Sequence, residues 1–276
     1  MKKFLFTFSF VWMFFGYFAL PAFGLTEREL IAGLSQLQNL PAQTPEGLRL
    51  TGTLQKALSA YQSITDYKTS FYKTEKSNGS LGPPERIYLK FEKSFKIYMR
   101  WLNTEKRGVE VVYERGKNKG KLALHKPGLL FGLTPVIFLD QNSPWIKAGS
   151  ASYNIEDAGI GSFLFDFTDE VIRAFRERKL KVAYHGKIVG EEINGETVEV
   201  TFLNTKAESG YLAYRVWILF DEKTSLPIHM ELFDWQNQLM GIYTYKDLKI
   251  NIGPDDLEFK NQINHFLLRI FYSKND

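Results

Sequence analysis

Apolar and polar residues alternate with period two along many stretches of this chain, and that alternation leaves few folds open. Ile87, Leu89 and Phe91 alternate with Tyr88 and Lys90, and Phe95, Ile97, Met99 and Trp101 alternate with Lys96, Tyr98 and Arg100. Successive side chains of an extended strand point to opposite sides, so each segment has one buried and one solvated face. The pattern continues through Val109–Glu114 and Lys121–His125, joined by a Gly116–Gly120 turn. It resumes at Lys181, with Asn194-Gly195 as a tight hairpin signal before Val198, Val200 and Phe202. Leu212, Tyr214, Val216, Ile218 and Phe220 then share a face, as do Ile228, Met230 and Leu232, and Leu239–Leu248 runs back. Strands of parallel sheets are apolar on both faces, so this pattern predicts an antiparallel sheet.

Helical periodicity interrupts the strands twice. Near the start, Thr26 and Glu29 have capping-box spacing, followed by Leu30, Leu34 and Leu37. After a Pro41–Gly47 linker, Leu54, Ala57, Leu58, Tyr61 and Ile64 form a second stripe. In the middle, Ile160, Phe163, Leu164, Phe167, Val171, Ile172 and Phe175 trace one helical face that ends in Arg176, Arg178 and Lys179, where cations are favoured. The preceding Lys126–Ser152, with Pro127, Pro135 and Pro144, reads as a long irregular connection, and the tail His265–Tyr272 as a short helix or strand. Helices, a meander, a central helix and a second meander predict an α+β class: one curved antiparallel sheet with helices on its concave face.

The first residues carry Lys2 and Lys3, then the apolar run Phe4–Leu20, then Pro21 and Ala22-Phe23-Gly24. This is the pattern of an export signal cleaved after Gly24, with an uncleaved membrane anchor as the alternative. Residues 25–276 would then form a single domain in the periplasm. Without Lys2 and Lys3 the formal charge falls from +4 to about +2, too little for a nucleic-acid partner. There is no cysteine, which excludes disulfides, thiolate metal sites and a lipid-modified cysteine.

Signals for an enzyme are weak. His125, His185, His229 and His265 are far apart, without the spacing of a metal-binding helix. Gly159-Ile160-Gly161-Ser162 lacks the second glycine of a nucleophile elbow, and Gly116–Lys121 fails the spacing of a phosphate loop. We therefore expect no catalytic residue, no metal and no cofactor, although an envelope hydrolase stays open as an alternative.

Two motifs near the C-terminus carry a family resemblance. Asp221, Thr224, Leu226 and Pro227 precede a strand, and Tyr245, Asp247, Leu248 and Asn251 lead to Phe259. In this the chain resembles LolA-type periplasmic carriers. Across Leu54–Phe259 it also resembles an uncharacterised family of exported bacterial proteins, notably at Lys93–Trp101, Gly108–Tyr113, Gly116–Leu122, His125, Ser143-Pro144 and Ile155–Gly161. The resemblance implies an unclosed half-barrel that binds a lipid, an acylated protein or another amphiphile as a monomer. Membrane donor and acceptor proteins are the implied partners, and a sensor of mislocalised lipid or lipoprotein is the alternative. The expected cavity lining is Leu89, Phe91, Ile97, Met99, Trp101, Val200, Phe202, Val216, Ile218, Met230 and Leu232. The expected lid is the central helix, with Gly159 and Gly161 as its hinge and Phe163, Phe167 and Val171 on its inner face.

Overall fold

Among the described residues, twelve antiparallel strands form one sheet that does not close on itself, and three helices cover one of its faces. The structure is a computed structural model and describes residues 27–40, 44–77, 79–93, 95–128, 136–141, 143, 155–190, 194–203 and 210–253. Helices α1 (Glu27–Gln38) and α2 (Pro45–Gln62) lead into β1 (Asp66–Ser77) and the short β2 (Ser80–Leu81). A first meander follows: β3 (Glu85–Glu92), β4 (Lys96–Trp101), β5 (Glu110–Glu114), β6 (Leu122–His125) and β7 (Val136–Leu139). Helix α3 (Ile160–Arg176) then precedes a second meander: β8 (Leu180–Val189), β9 (Asn194–Phe202), β10 (Arg215–Asp221), β11 (Pro227–Phe233) and β12 (Leu239–Ile250).

The strand order is β7-β6-β5-β4-β3-β1-β12-β11-β10-β9-β8, with β2 paired to β1. Each meander is thus a run of sequential neighbours, and the β1–β12 pair joins the two in the centre. Those two strands are also the longest, at 12 residues each. Register shifts at Lys68/Ser70, Leu219/Phe220, Leu232/Phe233 and Tyr184/Gly186 mark bulges in four of the ladders. Bulges increase local twist and bend the sheet, which gives it a concave side without closing it.

The alternation seen in the sequence resolves into one inner face. Tyr67 pairs with Phe91, Thr69 with Leu89 and Phe71 with Ile87, and across β4 these continue into Ile97, Met99 and Trp101. The outer face is less wet than alternation alone suggests. Lys90 and Tyr98, expected on the solvated side, are buried there. Tyr98 packs edge-on against Tyr88 and, with Val112, forms a small separate apolar cluster. Its hydroxyl donates to Glu110 Oε2 at 3.0 Å, and burial, followed by that carboxylate, pushes its pKa up.

Three segments differ from the reading of the sequence. Helix α2 begins inside the supposed Pro41–Gly47 linker, because the Thr44 side chain caps the Gly47 N–H at 3.1 Å and Pro45 opens the helix. Part of the supposed irregular connection is strand β7, paired along β6. Asn194 and Gly195 lie within β9 rather than at the hairpin tip, and Gly195 sits where any Cβ would strike the Phe220 backbone. The tail His265–Tyr272 and the first 24 residues lie outside the described residues. Among the described residues, no helix is long and apolar enough to cross a membrane.

The C-terminal motif has a physical role in joining the end of β12 to the connection between α2 and β1. Asn251 Oδ1 accepts from the Thr65 N–H at 2.8 Å, and its Nδ2 donates to the Ser63 carbonyl at 3.1 Å. Asn251 is in the left-handed backbone region (φ 52°), as is Asp247 (φ 54°), a conformation that Asn and Asp tolerate better than most. We expect Asn251→Gly to cost about 1 kcal/mol through the lost side-chain bonds. Asn251→Ala should cost about 1 kcal/mol more, because alanine resists that backbone angle. Urea unfolding of the two variants separates the contributions, and equal stabilities would remove the backbone part of this account.

Candidate functional site

The inner face of the sheet is a continuous apolar surface. Met99 lies opposite Leu89 and Val111, and Ile97 opposite Phe91 and Tyr113. On the other side of the centre, Val216 lies between Val200 and Leu232, and Ile218 between Val198 and Met230. Every residue expected to line the cavity falls on this face: Leu89, Phe91, Ile97, Met99, Val200, Phe202, Val216, Ile218, Met230 and Leu232 are buried, and Trp101 is half-buried. Trp101 sits at a polar end, where its Nε1 donates to Glu85 Oε2 at 2.8 Å and Lys73 pairs with Glu75 at 3.0 Å. These charged groups end the apolar face where it meets water.

Helix α3 covers the face from the inside. Leu164, Phe167, Val171 and Ile172 are buried in the same core as the strands. Phe163 stacks on Phe167 (ring centroids 5.6 Å apart), Phe167 meets Phe202 edge-on at 6.3 Å, and Phe202 tilts against Tyr211 at 4.9 Å. The expected lid residues Phe163 and Phe167 therefore form the first part of an aromatic ladder from the helix to the connection between β9 and β10, and Val171 is buried in the same core. Helix α2 lies beside α3 and packs on β8, where Arg49 crosses the Tyr184 ring at 4.1 Å and pairs with Glu196.

Polar contacts fasten α3 at both ends. At its start the Ile160 N–H donates to the Tyr67 hydroxyl at 3.2 Å. Burial drives the pKa of Tyr67 well up, and that of Tyr61 and Tyr245 beside it. The preceding 3-10 turn Ile155–Asp157 is tied to β5, because Glu156 accepts from the Tyr113 hydroxyl and its carbonyl from Ser162 Oγ at 2.9 Å. Burial and the bond to Glu156 push Tyr113 up to about 12. At the other end, Glu170 accepts from the Leu212 N–H, and Arg173 donates to the Gly210 carbonyl at 3.0 Å. Glu170 is only 7 % exposed, and its Oε2 has no hydrogen-bond partner among the described residues.

Glu170 was not among the residues expected from the sequence. Its signal was there, since an acidic residue falls within the apolar stripe between Phe167 and Val171. The glycines have a different part from the hinge expected of them. Gly159 is in the left-handed region (φ +111°), and a Cβ there would strike the Tyr67 hydroxyl. Gly161 is inside the helix, where a Cβ would collide with the Tyr61 ring. Both let tyrosines approach the helix start, so they belong to its docking.

Among the described residues, the histidines lie away from this face. His229 Nδ1 lies 2.8 Å from Thr244 Oγ1 and His185 Nε2 3.7 Å from Glu199, both on the outer face. Among the described residues no group of three or more His, Asp or Glu side chains could hold a metal.

A family described as protein of unknown function, DUF1571, matches residues 64–266 of the chain. The chain belongs to this family. No curated protein matches it. Similar solved structures include a putative outer membrane lipoprotein-sorting protein domain from Vibrio parahaemolyticus, at 11 % identity and TM-score 0.37, covering 76 % of this chain and 97 % of that one. A LolA superfamily protein from Nitrosomonas europaea is similar at 10 % identity and TM-score 0.34, covering 75 % and 95 %. Lipoprotein LppX from Mycobacterium tuberculosis is similar at 12 % identity and TM-score 0.44, covering 74 % and 96 %.

Two predictions follow from the docking of α3. Glycine to alanine in a helix normally gains up to about 1 kcal/mol, but Gly161→Ala should destabilise this protein by about 2 kcal/mol through the clash with Tyr61. In a Tyr61→Ala background the same substitution should be neutral or stabilising, as a double-mutant cycle in urea would show. An unchanged penalty there would disprove the contact.

The second concerns Glu170, which burial, with Asp166 and Asp169 adding to it, raises from 4.5 to about 8 against the pull of the Leu212 N–H and Arg173. Below about pH 4.5 both folded and unfolded chains hold this proton, so the residue has no pH effect there. Between about pH 4.5 and 8 the unfolded chain releases it while the folded chain keeps it, and stability falls. Glu170→Gln should therefore match the parent near pH 4 and exceed it increasingly up to about pH 8, by an amount on the order of a few kcal/mol. Denaturant titrations across this range that show a constant difference would refute the burial argument.

Proposed function

We propose that this protein is a carrier acting outside the cytoplasm, which holds the acyl chain of a lipid, an acylated protein or another amphiphile between the inner sheet face and α3. The observation that carries this reading is the construction of the cover. The apolar face runs unbroken from β4 to β9, while its cover is a separate helix joined to it by apolar packing and a few polar ties at the ends. An acyl chain presents the same chemistry as the Phe163, Phe167 and Val171 side chains and can pack between them and the sheet. The export signal in the sequence and the resemblance of the C-terminal hairpins to carriers agree with this reading. Membrane-bound donor and acceptor proteins are the partners such a carrier needs, and it needs no metal or cofactor.

Helix α3 is the lid in this proposal, but its movement is that of a packed element leaving its seat rather than of a glycine hinge. Hydrogen exchange should show protection across Gly159–Phe175 that rises when an acyl ligand is added. Protection equal to that of the central strands in both states would make α3 permanent core.

The direct test is saturable uptake of a fluorescent fatty acid by delipidated protein. Val216 is completely buried, so a charge there would unfold the chain, and milder changes are informative. Val216→Thr and Met99→Gln each place a polar group on the inner face at a cost of about 1–2 kcal/mol to an apolar guest, a tenfold loss of affinity. Ser70→Asp, on the outer face opposite Lys246, should leave uptake unchanged. Folded protein that takes up no probe would end the carrier reading.

A further inference from the structure

Among the described residues, Glu170 is the one buried carboxyl whose position the fold does not explain. Its Oε1 accepts the Leu212 N–H, and Oε2 is buried without a partner among the described residues. Leaving a buried polar atom unsatisfied is costly, and such atoms are few in native proteins. The surroundings say what kind of group is missing. Arg173, one helical turn along, lies over the Tyr211 ring at 3.8 Å, and the Tyr211 side chain is buried beside Glu170. The aromatic ladder Phe163–Phe167–Phe202–Tyr211 ends at this point. A chain laid along the ladder would bring its terminal atoms to Glu170, Arg173 and Tyr211.

We propose that Glu170, Arg173 and Tyr211 form a subsite for the anionic oxygen head of an acyl ligand, a carboxylate or a phosphate. The subsite rests on the carrier reading and adds to it the chemistry of the ligand's polar end. Burial keeps the Glu170 carboxyl protonated at neutral pH, with a pKa near 8. With Oε1 taken by an N–H donor, the proton sits on Oε2, and the partner it lacks is an acceptor. Arg173 supplies the positive charge that makes an anionic acceptor preferable to a neutral one. Among the described residues, the charged groups around Glu170 are Asp166, Asp169 and Arg173 on its own helix and Glu177 near Tyr211 from the end of that helix; the described part of the β9–β10 connection contributes the Tyr211 phenol and the Leu212 N–H.

The experiment compares dodecanoate, dodecyl phosphate and methyl dodecanoate by calorimetry, using the delipidated mature protein. At pH 7 we expect one or both anions to bind at least tenfold more tightly than the ester, and the tighter of the two identifies the head. Raising the pH from 7 to 9 ionises Glu170 and should remove about tenfold of that preference. Glu170→Gln, whose amide donates at every pH, should show no such fall. Glu170→Leu, which keeps the volume but cannot donate, should bring the anions to the affinity of the ester while ester binding persists. Ester binding with no anion preference, or a preference that Glu170→Leu leaves intact, would overturn the subsite and leave the carrier reading standing. Folded protein that binds none of the three compounds would overturn both.

Discussion

An open sheet of this length must have its apolar face covered, and the rest of the structure depends on how that is done. A closed barrel would bury the face against itself, and a sandwich would supply a second sheet. Here β7 and β8 end the sheet without meeting, and bulges in four ladders curve it instead. The chain inserts α3 between its two meanders, so the helix is delivered to the concave side as the chain crosses from the β7 edge of the sheet to the β8 edge. Helices α1 and α2, placed before the first strand, pack on α3 and hold it from behind.

The energetics of that cover make it replaceable. A buried Leu, Val or Phe side chain contributes about 1.5–3 kcal/mol, and each methylene of an acyl chain about 0.8 kcal/mol. Ten or so methylenes therefore match the inner-face side chains of one helix of this length. The polar ties add about 1 kcal/mol each, and they are confined to the helix ends. Glu156 and Tyr67 hold the start, Glu170 and Arg173 the end, and nothing polar pins the middle to the sheet among the described residues. Lifting the helix to admit such a chain can therefore be close to balanced, as the proposed carrier, which must also release its cargo, would require.

Much of this was legible in the sequence, and the reasons it was or was not are local. Period-two alternation fixed which side of each strand faces inward, so Met99, Val216 and the rest of the expected lining fell on one face. The helical stripe Ile160–Phe175 was read correctly for the same reason, since apolar periodicity reports burial directly. Short elements escaped: β7 has four residues and lies among prolines, and the start of α2 was hidden because Pro45 reads as a breaker unless Thr44 is seen as its cap. Lys90 and Tyr98 were misplaced because burial on the outer face comes from cross-strand neighbours, which local sequence does not show. The glycines misled in another way. Gly159 and Gly161 look like flexibility in a sequence, but their role here is the absence of a Cβ where Tyr61 and Tyr67 come close.

Glu170 shows how a local inconsistency can carry more information than the pattern around it. A sequence selected only for a stable core would put an apolar residue between Phe167 and Val171, and the buried carboxyl makes the closed arrangement less stable than it could be. Proteins retain such features where function needs them. A cover held by perfect packing would not open, and a cover without ties would not close. One carboxyl with one satisfied oxygen gives a helix that docks in a defined register and is still poised to leave. The same residue lies at the end of the aromatic ladder, where the polar end of a guest would arrive. On the proposed reading, weakening the closed state and recognising the ligand are therefore two consequences of placing one ionisable group in an apolar stripe.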